Sequence, residues 1–139
     1  MEAVPTIFGL FATAILFGSM AFFSGVMAPL IFTKLDAETA GRFIRQIFPW
    51  YYLAVITLAG SAALALTFSR GSDALTLAAV AAVGVIARQV LMPRINRARD
   101  AAGGGGAMAH KRFSRLHRLS VWINVAQMIA VAIVLARFV

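Results

Sequence analysis

Uncharged polar side chains and two histidines follow one face of the last apolar segment of the sequence. At 100° per residue in an α-helix, His110, His117, Ser120, Asn124 and Gln127 lie within one arc of the helix surface. The basic residues of the same segment lie on the opposite side. The pattern predicts a single polar stripe that descends from a basic segment into an apolar one.

Asn124 and Gln127 would be costly against lipid, so we expect them to face other helices. Two roles are open for them. They can join helices by hydrogen bonds, each contributing on the order of 1 kcal/mol. Alternatively, together with His117 and Ser120, they line a polar pocket that opens toward the cytoplasm.

Arg88 is the one cation well inside an apolar segment, close to the end that Pro93 marks. Its side chain could extend to the membrane interface, which would be a sufficient explanation. No Asp or Glu lies in the four apolar segments, so an ion pair there is not expected. We therefore expect Arg88 to contact Asn124, Gln127, a tyrosine hydroxyl or an anionic ligand.

The same residues limit the cofactor chemistry. His110 and His117 are separated by about 10.5 Å along a helix, too far to share one metal ion or one haem. The sequence has no cysteine, so thiolate sites are excluded, and GGGG at 103–106 is a linker and not a phosphate loop. No metal and no cofactor is predicted, although a haem with His117 as an axial ligand stays open.

The composition requires a membrane around these groups. The 139 residues are 61% hydrophobic, with a mean hydropathy of +0.86, whereas a soluble domain has roughly 45–50% apolar residues. Four apolar segments are each long enough, as helices, to cross a hydrocarbon core of roughly 30 Å. They predict an all-α integral membrane protein, a single four-helix bundle over residues 1–139. The predicted spans are 5–32, 48–68, 74–92 and 119–138, with a flexible glycine-rich loop at 100–107.

The charges predict the orientation. A net charge of +8 suggests nucleic acid in a soluble protein, but here the cations are divided by the spans. Arg70 and Arg137 lie on one side, and the remaining loop cations lie in loops one and three: Lys34, Arg42, Arg45, Arg94, Arg97, Arg99, Lys111, Arg112, Arg115 and Arg118. The positive-inside bias puts loops one and three in the cytoplasm and both termini outside. The expected partners are the bilayer and its anionic headgroups, with no nucleic acid.

The first loop predicts a further element. Asp36 can cap a short helix whose Ala40, Phe43, Ile44 and Ile47 form an apolar stripe. We expect this helix to lie in the plane of the cytoplasmic interface.

Aromatic residues mark the depth of the spans. Pro49 suits a helix start, and Trp50, Tyr51 and Tyr52 follow it, with Trp122 at the equivalent depth of the fourth span. We interpret these aromatic residues as an interfacial belt with a structural role. Pro93 has a structural role too, where the third span changes to a polar segment.

Three motifs of the sequence are similar to those of a known protein family: FP-x-YY at Phe48–Tyr52, R-x-x-x-x-P-R at Arg88–Arg94, and F-x-x-x-H-x-x-S-x-x-x-N at Phe113–Asn124. With them the chain resembles the bacterial branch of the transmembrane protein 205 family, small four-helix membrane proteins of unknown function. The resemblance implies a multi-pass protein of the bacterial inner membrane with embedded polar residues. These match Arg88, Pro93, His117, Ser120 and Asn124. It implies no established reaction.

Three functions remain open. The sequence favours a non-enzymatic protein that binds or passes a small or anionic species at a cytoplasm-facing site between the third and fourth spans. That site would comprise Arg88, His117, Ser120, Asn124 and Gln127. A second hypothesis is a haem-linked or quinone-linked oxidoreductase that uses His117. A third is a structural bundle without a ligand, which assembles with itself or with another membrane protein through its first three spans. Small residues at a four-residue spacing in the first span, namely Ala14, Gly18, Ala21 and Gly25, would allow such close packing.

Overall fold

The computed structural model describes residues 3–139 as four long helical rods. The first rod consists of α1 (Ala3–Phe22), a π-helical turn (Phe23–Met27) and α2 (Ala28–Lys34). The second rod is α3 (Ala37–Leu66). The third consists of α4 (Gly71–Ile86), a second π-helical turn (Ala87–Leu91) and α5 (Met92–Gly103), and the fourth is α6 (Ala107–Ala136). All four are long and apolar enough to cross a membrane, which confirms the predicted fold class.

Each rod contacts the next one along the chain, and the fourth closes the bundle against the first. The packed core fills the half of the bundle next to the turn between α3 and α4. Its fully buried side chains come from all four rods: Leu16, Met20, Leu66, Leu77, Val131 and Val134. The large side chains outside this core, including Phe11, Leu64 and Ile129, are exposed along the outer surface. Such a surface fits contact with lipid.

The separate interfacial helix predicted for the first loop is wrong. Asp36 does cap a helix, because its Oδ1 accepts a hydrogen bond from the Thr39 N–H at 3.0 Å, and this bond holds the pKa of the Asp36 carboxyl below its ordinary value. However, α3 continues from Ala37 to Leu66 through Pro49 without a break. Ala40 is buried and Ile44 is half-buried, and both line a cavity whose other walls include residues of α5 and α6. These two residues of the stripe therefore face the interior of the bundle and not the headgroups.

The non-helical part of the glycine-rich segment is shorter than the predicted loop at 100–107. α5 runs to Gly103 and α6 begins at Ala107, so the connection consists of Gly104–Gly106. Gly105 has a φ of 91°, in the left-handed region that side chains other than glycine rarely adopt. This conformation lets two helices reverse direction over a short connection.

The second half of the bundle repeats the first. The π-helical turns are both five residues long, and each precedes a proline at the second position of the next helix, Pro29 or Pro93. Helices α3 and α6 are both 30 residues long. The sequence repeats too: VMAPLI at 26–31 corresponds to VLMPRI at 90–95, and RFIR at 42–45 to RFSR at 112–115. The chain therefore consists of two helical hairpins of the same direction.

Proline explains the π-helical turns. A proline cannot donate a backbone hydrogen bond, so the carbonyl one turn earlier has no ordinary partner. A widened turn before the proline accommodates this loss. In the first and third rods, the π-helical turn lies where the packed core gives way to the basic end of the bundle.

A buried carboxylate joins the opposite end. Asp73, at 3% exposure, lies in the first turn of α4 and forms ion pairs with Arg70 at 2.8 Å and Arg137 at 2.9 Å. Arg70 also donates to the Arg137 carbonyl at 2.6 Å and lies over the Phe138 ring. The expectation that no acid lies within a span is wrong, because the third helix starts at Gly71 and includes Asp73. This cluster ties the end of α6 to the α3–α4 turn.

Three of the four small residues singled out in the first span do not face another helix within residues 3–139. Ala14, Gly18 and Gly25 are exposed. A Cβ atom added at Gly18 or Gly25 would meet nothing within 4 Å. Within the described chain, these residues form part of the outer surface.

Candidate functional site

Asn124 connects three rods at the middle of the bundle. Its Oδ1 accepts a hydrogen bond from the Tyr51 hydroxyl at 2.5 Å, and its Nδ2 donates to Ser24 Oγ at 2.8 Å. Nδ2 also lies 3.6 Å from the Met128 sulfur. Since Ser24 is in the first rod and Tyr51 in the second, Asn124 has the helix-joining role that was one of its two predicted roles.

Gln127 joins a different pair of rods. It is 5% exposed, and its Nε2 donates to the Val80 carbonyl at 3.0 Å. The bond connects α6 to α4 inside the packed half. The polar stripe of α6 therefore divides: Gln127 faces the third rod, while Asn124 faces the first and second.

Arg88 lies in the second π-helical turn and contacts the second rod. Its Nε donates to the Pro49 carbonyl at 3.2 Å. This partner is neither of the amides nor the tyrosine hydroxyl that the sequence led us to expect. Pro49 lies inside α3, so its role is not that of a helix start. Its carbonyl instead receives the arginine.

The aromatic side chains predicted to form the interfacial belt point in different directions. Trp50 is 71% exposed and Trp122 69% exposed, so both side chains point outward. Tyr51 is half-buried and Tyr52 is 5% exposed, so the belt position predicted for the two tyrosines is wrong for their side chains. Successive residues of a helix point about 100° apart, and only one side of α3 faces lipid.

His117 and Ser120 lie where two adjoining cavities meet. Each cavity has a volume of about 320 Å³, and both are lined by Tyr52, His117 and Ser120. The basic-end cavity extends toward Arg45 and Arg99, and the mid-span cavity extends toward Tyr51 and Asn124. Their shared apolar walls are Phe32, Ile44 and Phe48. The cavities thus lie between α2, α3, α5 and α6.

Two polar groups face these cavities without a hydrogen bond from the described chain. The Tyr52 hydroxyl has no partner among residues 3–139, although the ring is stacked near Phe48, with centroids 5.9 Å apart. The His117 ring stacks on Phe113 at 5.9 Å and has no side-chain hydrogen bond in the same part of the chain. Ser120 donates to the His117 carbonyl at 2.7 Å, one turn back. The cavity walls therefore offer a hydroxyl and an imidazole to a guest.

Two arginines close the basic-end cavity and have different partners. Arg45 forms an ion pair with Asp100 at 2.8 Å and also donates to the Asn96 carbonyl. Arg99 donates to the Gly41 carbonyl at 3.1 Å and the Ala37 carbonyl at 3.5 Å. Within residues 3–139, Arg99 has only these neutral partners. Its guanidinium therefore forms no ion pair there, although Glu38 and Asp100 line the same surface pocket.

Gly41 makes this contact possible. A Cβ atom at position 41 would overlap the guanidinium of Arg99. The glycine therefore allows α5 to place a cation directly against the backbone of α3. The sequence placed Tyr52 in the aromatic belt and Arg99 among the loop cations, but it assigned neither to the ligand site and did not single out Gly41. Their roles depend on which backbone groups and cavities lie opposite them in the folded bundle.

The predicted site residues are not all in one place. His117, Ser120 and Asn124 line the cavities, while Arg88 contacts Pro49 and Gln127 contacts Val80. Within residues 3–139, no three His, Asp or Glu side chains come together in an arrangement that could hold a metal ion.

Four apolar rods around an internal polar network define a multi-pass membrane protein. Residues 11–103 match the family described as the domain of unknown function DUF4149, and the match takes in more than half of the chain. The chain belongs to this family. No curated protein and no solved structure matches it.

Proposed function

We propose that this chain is a non-catalytic membrane protein that binds a small anionic amphiphile in the two adjoining cavities. The observation that carries the proposal is the Tyr52 side chain, which is 5% exposed and lines both cavities, and whose hydroxyl has no hydrogen-bond partner in the described chain. Within residues 3–139 no fully buried polar side-chain atom lacks a hydrogen bond, so this hydroxyl is accessible and could donate to a guest that supplies an acceptor.

The charge of Arg99 supports an anionic headgroup. Its guanidinium has only backbone carbonyls as hydrogen-bond partners in the described chain, and the acids that line a surface pocket with it, Glu38 and Asp100, pair with Arg42 and Arg45. A carboxylate or phosphate at the basic-end cavity would form charge-assisted hydrogen bonds with Arg99. Tyr52 and His117 lie on the same cavity and could donate to the same group.

The walls and the access route support an apolar body. Phe32, Ile44 and Phe48 line both cavities, and apolar walls with a few polar groups are typical of small-molecule sites. The mid-span cavity also reaches Val121 and Val125, which are exposed on the outer surface. A guest dissolved in the membrane could therefore enter from the side.

Within this proposal, the five residues suggested by the sequence have separate roles. His117 and Ser120 contact the guest, and Asn124 fixes the wall on which Tyr51 lies. Arg88 and Gln127 hold the rods around the cavity through backbone carbonyls. We retain the proposal that loops one and three face the cytoplasm of a bacterial inner membrane, on the basis of the charge distribution and the resemblance to the transmembrane protein 205 family.

The experiment measures retention of dodecanoate, used as the probe, by native mass spectrometry of the full-length protein in nanodiscs. Dodecanol is the uncharged control of the same chain length. Tyr52→Phe removes one hydroxyl and should weaken dodecanoate binding by about threefold to tenfold, as expected for one hydrogen bond. Arg99→Gln should weaken dodecanoate more than dodecanol.

His110→Ala is the matched control, because His110 is exposed and lies on the same helix as His117. It should bind the probe like the original protein, whereas His117→Ala should bind it less. The Ser120→Leu substitution should fill the junction of the cavities. If this variant retained dodecanoate as well as the original protein does, the proposed site would be contradicted. A haem or quinone in the purified protein would support the oxidoreductase hypothesis instead.

A further inference from the structure

A second site lies between α5 and α6, separate from the cavities that the proposed function uses. It is a cleft whose walls carry a group of exposed cations and a small apolar surface. The cations are Arg94, Arg97, Lys111, Arg112 and Arg115. The apolar surface includes Ala98, Met108 and Leu116.

These cations lack acidic partners. Within residues 3–139, none of the five forms an ion pair, and no carboxylate lines the cleft. Arg97 has a long hydrogen bond of 3.4 Å to the Pro93 carbonyl of its own helix. Like charges gathered in one cleft repel one another, so the free chain gains no electrostatic stability from this arrangement.

The repeat of the chain offers an internal comparison. Arg42 and Arg45 in the first hairpin correspond to Arg112 and Arg115 in the second. In the first hairpin, Arg42 pairs with Glu38 at 3.4 Å and Arg45 pairs with Asp100. The same backbone position is therefore neutralised in one hairpin and left positive in the other. An external anion would balance the second.

We infer that this cleft binds the headgroup of an anionic phospholipid with two phosphates. The cleft adjoins the apolar part of α6, which places it at the level of the headgroups. Basic pockets between transmembrane helices are known to favour such headgroups. Arginine recognises phosphate through paired N–H donors, and Met108 and Leu116 could contact the glycerol and upper acyl groups.

The test uses full-length protein in phosphatidylcholine nanodiscs that contain a small fraction of diphosphatidylglycerol, with lipid retention measured by native mass spectrometry. A matched arm contains phosphatidylglycerol, which has one phosphate. Arg112→Gln with Arg115→Gln should reduce diphosphatidylglycerol retention by more than about tenfold, since each cation contributes about fivefold. Retention of phosphatidylglycerol should fall less.

The control variant removes the same charge from the first hairpin: Lys34→Gln with Arg42→Gln, both exposed and outside the cleft. It should retain diphosphatidylglycerol like the original protein. Equal loss in the two double variants would overturn the inference, because a general charge effect would then explain it. Binding of transfer RNA that depends on Arg112 and Arg115, without any effect on lipid, would overturn it as well. Dodecanoate binding in the cavities serves as the folding control, so failure here leaves the proposed function intact.

Discussion

At the scale of single residues, the bundle uses polar groups mainly as connections between rods. The amide of Asn124 forms hydrogen bonds to two different rods. Its oxygen accepts from the Tyr51 hydroxyl of the second rod, and its nitrogen donates to Ser24 of the first. A side chain in this position cannot also offer its amide freely to a guest. Under the proposed function, the groups that would contact a guest are therefore the neighbours that have no side-chain hydrogen bond within residues 3–139, above all Tyr52.

The link between Tyr51 and Asn124 predicts an energetic coupling. Tyr51→Phe and Asn124→Ala each remove the same hydrogen bond, so the double variant should lose less stability than the sum of the single losses. We expect a coupling of about 0.6–1.7 kcal/mol, the range found for hydrogen bonds between membrane helices. The measurement is the free energy of unfolding in mixed micelles. Additive losses would mean that the bond contributes nothing.

Removal of the Asp73 charge, at the end of the bundle next to the α3–α4 turn, should have a larger effect on stability. Asp73→Asn removes the charge that holds Arg70 and Arg137, and we expect a loss of about 1–3 kcal/mol in the free energy of unfolding. The value is below that of a fully buried pair because the two arginine side chains are 27% and 53% exposed.

Asp100→Asn is the matched control for Asp73→Asn. It breaks the pair with Arg45, whose side chains are 43% and 63% exposed, and should cost less than about 1 kcal/mol. If the two substitutions cost the same, burial of Asp73 would have no energetic consequence.

Residue patterns predicted which face of α6 is polar, but not the partners of its residues. Helical spacing fixes that His117, Ser120 and Asn124 share a side of one helix. The partner of Arg88 is a backbone carbonyl, which carries no sequence signature. The role of Arg99 was not predicted for the same reason: its partners are the backbone carbonyls of Gly41 and Ala37.

At the scale of elements, helix boundaries followed packing more than local sequence. The segment after Asp36 has the amphipathic pattern of an interfacial helix, and Pro49 suggests a fresh helix start. Both patterns are equally compatible with one long helix if a neighbour covers the apolar stripe. Here Ala40 and Ile44 line a cavity whose opposite wall includes residues of α5, and the extent of α5 past Pro93 could not be read from the polar, charged composition of that segment.

The contact between α3 and α5 predicts different effects for two glycines of one helix. Gly41→Ala would displace the Arg99 guanidinium and cost on the order of 1 kcal/mol through the lost hydrogen bonds. Gly60→Ala, with open space around an added Cβ atom, should stabilise α3 by about 0.5–1 kcal/mol. Thermal unfolding of both variants in the same detergent measures the difference. Stabilisation by both would show that Arg99 moves aside without loss.

At the scale of the whole molecule, the two hairpins enclose a packed half and an open half. Leu66, Leu77 and Val134 fill the half next to the α3–α4 turn, whereas the cavities lie beyond the π-helical turns. In both hairpins the proline and the π-helical turn before it lie between these two halves.

The orientation of the bundle in the membrane can be tested directly, because the open half must face one side of the membrane. A chain without cysteine allows single cysteines to be placed at Ser69, in the α3–α4 turn, and at Gly104, in the α5–α6 connection. In intact bacterial cells, an impermeant thiol reagent should label Ser69→Cys directly. It should label Gly104→Cys only after the inner membrane is permeabilised, because the positive-inside bias predicts that the basic loops lie in the cytoplasm. The reverse pattern would put Arg99 and the basic cleft on the outer surface, where an amphiphile or lipid would have to come from the other leaflet.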